Sequence, residues 1–480
     1  MKQSFYIIAL LLNFSSEIYA QKIPVTTKSK DALEFYEKGW EFEDKLKLDL
    51  AEQMYNNAIN KDSTFALAYL RLAMLKDNYE IRRKQLKNAE RFIENTSEGE
   101  QLWIRGRIDF YGQGYDGSNE YGYFKKLAEL YPNDEMANYL FAFVNLHHGV
   151  LKPDLAIRHF EKAIKINPNF IRPYNDLIYT YLEKQDFKNA KRVSRSYIDI
   201  LPNSVNPLDT YAEIFMRSGE YKKSIKAYKE VLKIDPKFPW ALMGISANMN
   251  FLGKHSNGRT YIEKINEDKL SDYEYRHKWR AKVTSYLDES DIDMAIDVLE
   301  EQKQESISKR NKREPSFHIY FSYLRKTRLY FESNQPKQGL SEYENWVKYI
   351  NGSDRSERIK MRIKNLKLYY LAYDAYLDNK FQDAKSYLTD YTKTNDGEND
   401  SSKVLLSKIL IAEGKTEQAI EKLNETNLNN PYNQYWIMIA YSKTGDRKSV
   451  KKYKNKILQL NERNNIDLSL IRKKVLAFKV

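Results

Sequence analysis

The side chains that could carry out chemistry are few in this sequence and widely separated. Gly112, Gly114 and Gly117 match the glycine string of a dinucleotide-binding loop, in which backbone amides face a pyrophosphate. Such a loop needs a strand before it and a helix after it. The preceding residues 101–111 have a helical pattern instead, and no strand–helix alternation surrounds them. We therefore interpret the string as a loop between helices and predict no bound cofactor.

The residues needed for metal binding or nucleophilic catalysis are also missing or dispersed. The sequence contains no cysteine and six histidines. His147 and His148 are adjacent, so they point to different faces of a helix, whereas a zinc site needs about three converging ligands. Acidic residues such as Asp288 and Glu289 surround predicted turns, where carboxylates stabilise helix N-termini. We predict no metal ligand and no catalytic residue. A helical enzyme with an acid pair in its groove is the remaining enzymatic hypothesis.

A 34-residue period organises the centre of the chain. Three prolines follow one another at intervals of 34 residues, and a small residue precedes each of them by twelve positions. This period is typical of repeated helix–turn–helix units. Apolar residues spaced by three and four form one face of each helix, and the residue before a proline avoids helical backbone angles. We therefore predict an all-α fold of stacked antiparallel helix pairs. The residues predicted to pack or close the repeats are Ala156, Phe160, Ala163, Pro168, Ala190, Pro202, Ala212, Ser224, Tyr228, Pro236, Ala384, Ala419 and Pro431.

These units resemble the tetratricopeptide repeat. The family pattern has small residues where the two helices cross, an aromatic residue late in each helix and a closing proline, and Ala190 with Pro202 matches it. Ser194 and Tyr197 depart from it, because an aromatic residue and an alanine are usual at these positions. The resemblance covers most of the chain and is strongest at 137–236. It implies a right-handed superhelical solenoid whose activity is binding.

Fainter copies of the repeat extend in both directions, so we expect roughly ten hairpins with atypical units at the ends. A solenoid grows by stacking, so 480 residues need not form several globular domains. The predicted division is a signal peptide at 1–20, a short linker at 21–30, degenerate hairpins at 31–136, the best-matching repeats at 137–270, a further hairpin at 271–304, a basic linker at 305–317 and C-terminal hairpins at 318–480.

The N-terminus has the pattern of a secretory signal peptide. Lys2 supplies a positive charge, residues 5–12 form an apolar run too short to cross a bilayer, and Ala20 is a small residue at the expected cleavage site. A buried first helix is the alternative interpretation. We expect cleavage near Ala20 and a periplasmic or secreted mature chain without a transmembrane segment. An exported chain that lacks cysteine fits a bacterial envelope protein.

The formal net charge of +13 at pH 7 would suit anionic partners. Basic and acidic residues are interspersed, however, and the densest basic cluster, at 309–313, lies between two predicted repeats. We interpret this cluster as part of a solvated linker and predict no nucleic-acid partner.

The resemblance implies a binding surface on the concave face, which the first helix of each unit lines. We predict a non-enzymatic protein–protein interaction scaffold of the bacterial cell envelope that holds a peptide or partner helix in this groove. A glycan- or peptidoglycan-binding envelope sensor is the alternative, since 38 tyrosines offer stacking surfaces and the positive charge suits wall polymers. The partner's identity and the oligomeric state are left open. On the three best units the predicted groove contacts are Phe141, Asn145, Asn175, Tyr179, Asp209 and Glu213.

Overall fold

The computed structural model describes residues 22–76, 79–111, 119–146, 151–308, 315–353, 355–394 and 397–480. The predicted signal peptide, the glycine string and the adjacent histidines lie outside these ranges. Within them the chain forms 25 α-helices and two short 3₁₀ helices, without a strand, so the all-α prediction is confirmed. Among these helices none is both long and apolar enough to cross a bilayer. The chain divides into two compact units, the first ending at Pro202 and the second running Asn203–Val480.

In its described residues the first unit consists of ten α-helices that pack as five consecutive pairs. Each helix also contacts the next one along the chain, so the pairs stack on one another. The helices are α1 (Lys30–Asp44), α2 (Leu48–Lys61), α3 (Ala66–Met74), α4 (Tyr79–Arg91), α5 (Glu98–Tyr111), α6 (Glu120–Leu130), α7 (Glu135–Val144), α8 (Pro153–Ile166), α9 (Arg172–Glu183) and α10 (Phe187–Ile200).

The second unit repeats this arrangement in seven described pairs and adds a last helix, α25, which packs against α15, α23 and α24. Its helices are α11 (Val205–Arg217), α12 (Tyr221–Ile234), α13 (Pro239–Phe251), α14 (His255–Ile262), α15 (Asp272–Glu289), α16 (Ile292–Ser308), α17 (Pro315–Glu332), α18 (Pro336–Asn351), α19 (Glu357–Leu377), α20 (Phe381–Thr394), α21 (Asp400–Ala412), α22 (Thr416–Asn424), α23 (Pro431–Thr444), α24 (Arg447–Leu458) and α25 (Ile466–Ala477).

Two of the predicted segments have different limits in the structure. The division between the units falls inside the predicted block 137–270. Helices α16 and α17 pack against each other and enter the predicted basic linker from both sides, so that only residues 309–314 of it lie outside the described ranges. Residues 305–308 and 315–317 of the predicted linker therefore belong to helices.

Helix α10 shows how the sequence produces these elements. Its buried residues are Ala190, Val193, Ser194 and Tyr197, which recur at spacings of three and four and so lie on one face of the helix. Asp186 caps the helix, because its carboxylate accepts a hydrogen bond from the Asn189 amide at 3.1 Å. The apolar stripe and the cap together explain why this polar segment is helical.

The prolines of the 34-residue period lie in exposed turns. Pro168, Pro202 and Pro236 each stand two residues beyond the last residue of α8, α10 and α12. Pro431 is different, and its prediction as a closing residue is wrong. It is the first residue of α23, because α22 already ends at Asn424, and it follows the N-cap residue Asn430. Proline suits that position because a backbone amide in the first turn has no acceptor within the helix, so its absence costs no hydrogen bond.

The helix pairs are held together by contacts between small residues and aromatic rings. Within one pair, a Cβ atom on Gly106 of α5 would lie 2.3 Å from the Phe124 ring of α6; between consecutive pairs, one on Gly244 of α13 would lie 2.3 Å from the Tyr228 ring of α12. Such distances leave no room for a methyl group, so these helices approach as closely as backbone permits. The other predicted packing residues besides the prolines are all fully buried: Ala156, Phe160, Ala163, Ala190, Ala212, Ser224, Ala384 and Ala419.

We predict opposite effects for two glycine-to-alanine changes in the same helix pair. Gly106→Ala should lower the free energy of unfolding by about 1–3 kcal/mol, because the new methyl group overpacks the Phe124 contact. Gly122→Ala is the matched control, since nothing lies within 4 Å of its Cβ position, and it should gain up to about 1 kcal/mol in helix propensity. Denaturant unfolding of both variants measures the difference. A Gly106→Ala protein as stable as the control would contradict the close contact.

Candidate interaction site

The predicted groove contacts on α7 are buried inside the first unit. Phe141 packs edge-on against the His159 ring, with centroids 4.8 Å apart, and against Tyr121 at 5.8 Å. Asn145 donates a hydrogen bond from Nδ2 to the carbonyl oxygen of Phe141 at 2.6 Å and is fully buried. The reason is that α7 is apolar almost all round and is covered by α6 and α8. The expectation that these two side chains face a partner therefore fails.

The predicted contacts on α9 have a different environment. Asn175 and Tyr179 lie four residues apart, hence on one face of α9, and both are half-buried. The adjoining face of α9 buries Tyr174, Leu177 and Ile178 in the packing of the unit. In the first unit, α9 is thus the helix on which the predicted groove contacts reach the surface.

A buried ionic cluster joins helices far apart in the first unit. Glu43 of α1 accepts hydrogen bonds from Tyr55 of α2 and Arg71 of α3, and from Arg172 of α9 at 2.5 Å. Arg71 also lies 4.3 Å from the centroid of the Trp40 ring. Burial opposes ionisation of Glu43, but the two guanidinium groups hold its pKa below the usual value. The cluster ties α9 to the first helix of the unit.

An irregular N-terminal segment, residues 22–29, lies along the ends of three helices in the same unit. Its amides and hydroxyls donate to carboxylates at the end of α2 and at the starts of α5 and α7. The acceptors are Asp62, Glu100 and Asp134, at 3.0 Å, 2.8 Å and 3.1 Å from the amides of Lys28, Thr26 and Ile23. Burial opposes ionisation of Asp62, but hydrogen bonds from the hydroxyls of Thr27 and Thr64 and from the Lys28 amide lower its pKa to about 2. The segment is thus part of the folded first unit.

In the second unit, the C-terminal turn, residues 459–465, contacts the predicted groove residues. Arg463 donates from Nη2 to Glu213 at 2.9 Å and lies 3.9 Å from the nearer carboxylate oxygen of Asp209. Its Nη1 donates to the carbonyl oxygen of Trp240 at 3.3 Å, and its guanidinium lies over the Trp240 ring. The chain's own arginine therefore takes the place where a foreign ligand was expected to bind.

A second set of contacts fixes the same turn. Asn461 accepts a hydrogen bond from the Tyr221 hydroxyl at 2.6 Å and donates to the carbonyl oxygen of Arg217 at 3.1 Å. Arg472 of α25 donates to the carbonyl oxygen of Leu460 at 2.8 Å. Asn461 is buried, so its amide is fully committed to the protein. The C-terminal turn is therefore docked on α11–α13 by paired polar groups.

Asp209 is the residue of this arrangement whose carboxylate is least compensated. It is buried, and its Oδ1 atom has no hydrogen-bond partner among the described residues. Burial raises its pKa from 3.8 to about 7; Arg463 opposes the rise and Glu213 adds to it. Asp209 is consequently protonated in the folded chain over a pH range in which it is ionised when unfolded.

The sequence profile of the tetratricopeptide repeat matches residues 208–238, which span the hairpin of α11 and α12. This hairpin therefore has the sequence of a tetratricopeptide repeat. The chain's relative Hsp70-Hsp90 organizing protein 3 from Arabidopsis thaliana is 28% identical over 112 residues, or 23% of this chain. The chain spans only about a fifth, 20%, of that relative's length.

Matches among solved structures include a tetratricopeptide repeat protein and MamA. A tetratricopeptide repeat protein from Parabacteroides merdae has a TM-score of 0.35 and 14% identity, with 61% of this chain and 99% of that chain covered. MamA from Desulfovibrio magneticus has a TM-score of 0.31 and 15% identity, with 35% and 93% covered.

Sequence reasoning missed the contact that Arg463 makes with Asp209 and Glu213 in the second unit. Arg463 lies 250 residues beyond Glu213, outside any repeat period. The available signal was the cluster Asn461, Asn464 and Asn465 around Arg463, a polar turn with more hydrogen-bonding groups than a simple connection requires.

We predict that Arg463→Met releases the C-terminal turn. The variant loses the charge that neutralises Glu213 and the contact with the Trp240 carbonyl, so amides of residues 459–465 should exchange with deuterium at least tenfold faster. The exposed Arg447→Met is the control and should leave this exchange unchanged. Equal exchange in both variants would mean that Arg463 does not hold the turn.

We also predict a pH effect of Asp209. Because its folded pKa of about 7 exceeds the ordinary 3.8, the folded state retains a proton that the unfolded state releases. Stability should therefore fall as pH rises from about 4 to about 7. Asp209→Asn removes this loss, so its melting temperature relative to the wild type should increase over that range. The exposed Asp297→Asn should show no such trend; a pH-independent difference for Asp209→Asn would contradict the assignment.

Proposed function

We propose that this chain is a non-enzymatic protein-interaction scaffold of the bacterial cell envelope, which binds a peptide or partner helix on α9 and its neighbours in the first unit. The observation that carries the proposal is the array of stacked helix pairs with a tetratricopeptide-repeat match, since such repeats present extended surfaces to other proteins. The name of the Arabidopsis relative describes a protein that organises two others, Hsp70 and Hsp90. We carry over the general role of binding proteins, not those partners.

The proposed surface is centred on Asn175 and Tyr179. A half-buried tyrosine supplies contact area at low conformational cost, and an amide can hydrogen-bond to a peptide backbone. In the second unit, Asp209 and Glu213 hold the chain's own Arg463, so a partner there would have to displace the C-terminal turn. For this reason we assign the partner surface to the first unit.

Export is part of the same proposal. The first twenty residues have the composition of a signal peptide, and the N-terminal segment that begins at Lys22 is hydrogen-bonded into the first unit. The contacts of this segment thus use residues that would remain after cleavage near Ala20. The exported form of the scaffold would retain all of them.

One argument for the alternative function, a glycan-binding sensor, is weakened. It relied on the large number of tyrosines as stacking surfaces, but many of them are buried between helices, among them Tyr36, Tyr55, Tyr228, Tyr275 and Tyr370. The tyrosine content is explained at these positions by repeat packing.

The test uses tagged mature chain, Gln21–Val480, as bait in an envelope extract beside Asn175→Ala/Tyr179→Ala. We expect a protein that the wild type retains and the double variant loses, because the substitutions remove side-chain contacts without touching the core. The captured protein is then purified, and its affinity for the two baits is compared by calorimetry, with a loss of at least tenfold expected.

The control is Asn189→Ala/Arg192→Ala on the neighbouring helix α10, where Arg192 is exposed. It should bind like the wild type. Circular dichroism establishes that all three proteins are equally helical. Retention of the same partner by the Asn175/Tyr179 variant would exclude this face of α9, and specific retention of no protein by any bait would argue against the scaffold.

A further inference from the structure

The second unit encloses a cavity of about 790 Å³ that the scaffold function does not explain. Its wall is formed by α15, α17, α19, α21 and α23 and by the start of α25. This volume is typical of sites that enclose a small molecule. The charged residues in the wall are five basic and three acidic: Arg280, Arg325, Arg328, Arg362, Lys408, Glu332, Asp400 and Asp467.

The three carboxylates of the wall are already satisfied by neighbouring groups. Asp467 pairs with Arg328 at 2.6 Å. Glu332 pairs with the buried Lys408 at 3.4 Å and accepts a hydrogen bond from the Tyr373 hydroxyl at 3.1 Å. Two of the five basic groups are thereby neutralised.

The third carboxylate is likewise engaged. Asp400, the first residue of α21, accepts hydrogen bonds from the side-chain amide of Asn433 at 3.1 Å and from the backbone amide of Asn427 at 3.0 Å. No wall carboxylate therefore forms an ion pair with the remaining arginines within the described part of the unit.

Three basic groups remain. Arg362 of α19 is exposed, whereas Arg280 of α15 and Arg325 of α17 are less accessible and unpaired. Neither has a carboxylate within ion-pair distance among the described residues, and the Nε atom of Arg280 is buried without a hydrogen-bond partner. The guanidinium of Arg325 lies over the Phe321 ring, 5.3 Å from its centroid. Both side chains are half-buried. Positive charge that is removed from water and left unpaired is unfavourable, so an anion in this cavity would be stabilised.

The pKa shifts of nearby groups agree with an excess of positive charge at the cavity. Burial and the nearby charges of Arg280 and Arg276 lower the pKa of Arg325 to about 9. Burial and the arginines around it, Arg280 first, lower the pKa of His277 to about 4. Such shifts are expected where positive charges face one another without compensating anions. The N-terminus of α21, capped by Asn399, adds a partial positive charge at the cavity wall.

We propose that this cavity binds a small organic anion, whose carboxylate or phosphate group is held by Arg280 and Arg325 and whose apolar part packs against aromatic side chains. Arginine suits this role because its planar donors match the oxygen atoms of carboxylates and phosphates. The apolar wall is supplied by Phe321, Leu324, Tyr320, Tyr369 and Tyr370. The site is independent of the partner surface proposed on α9.

The test is thermal unfolding of the mature chain with sodium phosphate, sodium citrate and sodium glucuronate, each against sodium chloride at equal ionic strength. We expect at least one of these anions to raise the melting temperature in a saturable way. In Arg280→Met/Arg325→Met the rise should disappear. In chloride alone this variant should melt higher than the wild type, because two unpaired charges have been removed. The exposed Arg447→Met is the control and should keep the anion effect.

Two further measurements keep the proposal falsifiable. If the double variant is not helical by circular dichroism, Arg325→Lys replaces it; this change keeps the charge but loses the planar donors, and it should weaken the affinity measured by calorimetry at least tenfold. A wild-type protein that responds to none of the three anions beyond chloride would overturn the site. So would an anion effect that persists in the arginine variants, since that would place the binding elsewhere.

Discussion

The close contact between a small residue and an aromatic ring is the constraint on which the rest of the structure depends. Gly106 against Phe124 within a pair, and Gly244 against Tyr228 between consecutive pairs, leave no room for a methyl group between the helices. Because each helix also packs on the next pair, this separation fixes how the pairs stack. Side chains from distant helices can then meet inside a unit. The buried cluster around Glu43 and the docking of Arg463 are both consequences of that stacking.

In each unit, polar contacts join elements that are far apart in the sequence. In the first unit, Arg172 of α9 reaches Glu43 of α1, and in the second the C-terminal turn reaches α11–α13. Such buried pairs contribute little net stability, but they select one arrangement because any other would leave a charge without its partner. Asp209 shows the cost, since its carboxylate is buried with incomplete compensation. Residues that do not belong to the repeat pattern thus fix how distant elements of each unit pack together.

The fold was predictable from local signals and the site was not. The period that relates Ala156, Ala190 and Ser224 reports on packing between helices adjacent in sequence, and these residues are buried as that period requires. Contacts such as Glu213 with Arg463 join residues about 250 positions apart and leave no periodic trace. An acidic side chain on a first helix has the same sequence signature whether its ligand is another molecule or the same chain. The prediction that Pro431 closes a repeat was wrong for a related reason. Helix α22 is short, and the spacing alone does not reveal which helix the proline belongs to.

The face of α11 that carries Asp209 and Glu213 is occupied by the chain's own C-terminal turn, and we propose that a protein partner binds through α9 instead. Hydrogen–deuterium exchange of the mature chain, alone and with the protein captured by the wild-type bait, tests this directly. The account predicts that the partner protects amides of residues 172–183 and leaves those of 205–217 and 459–465 unchanged. Protection of 205–217 together with faster exchange of 459–465 would contradict it, because the partner would then have displaced the turn.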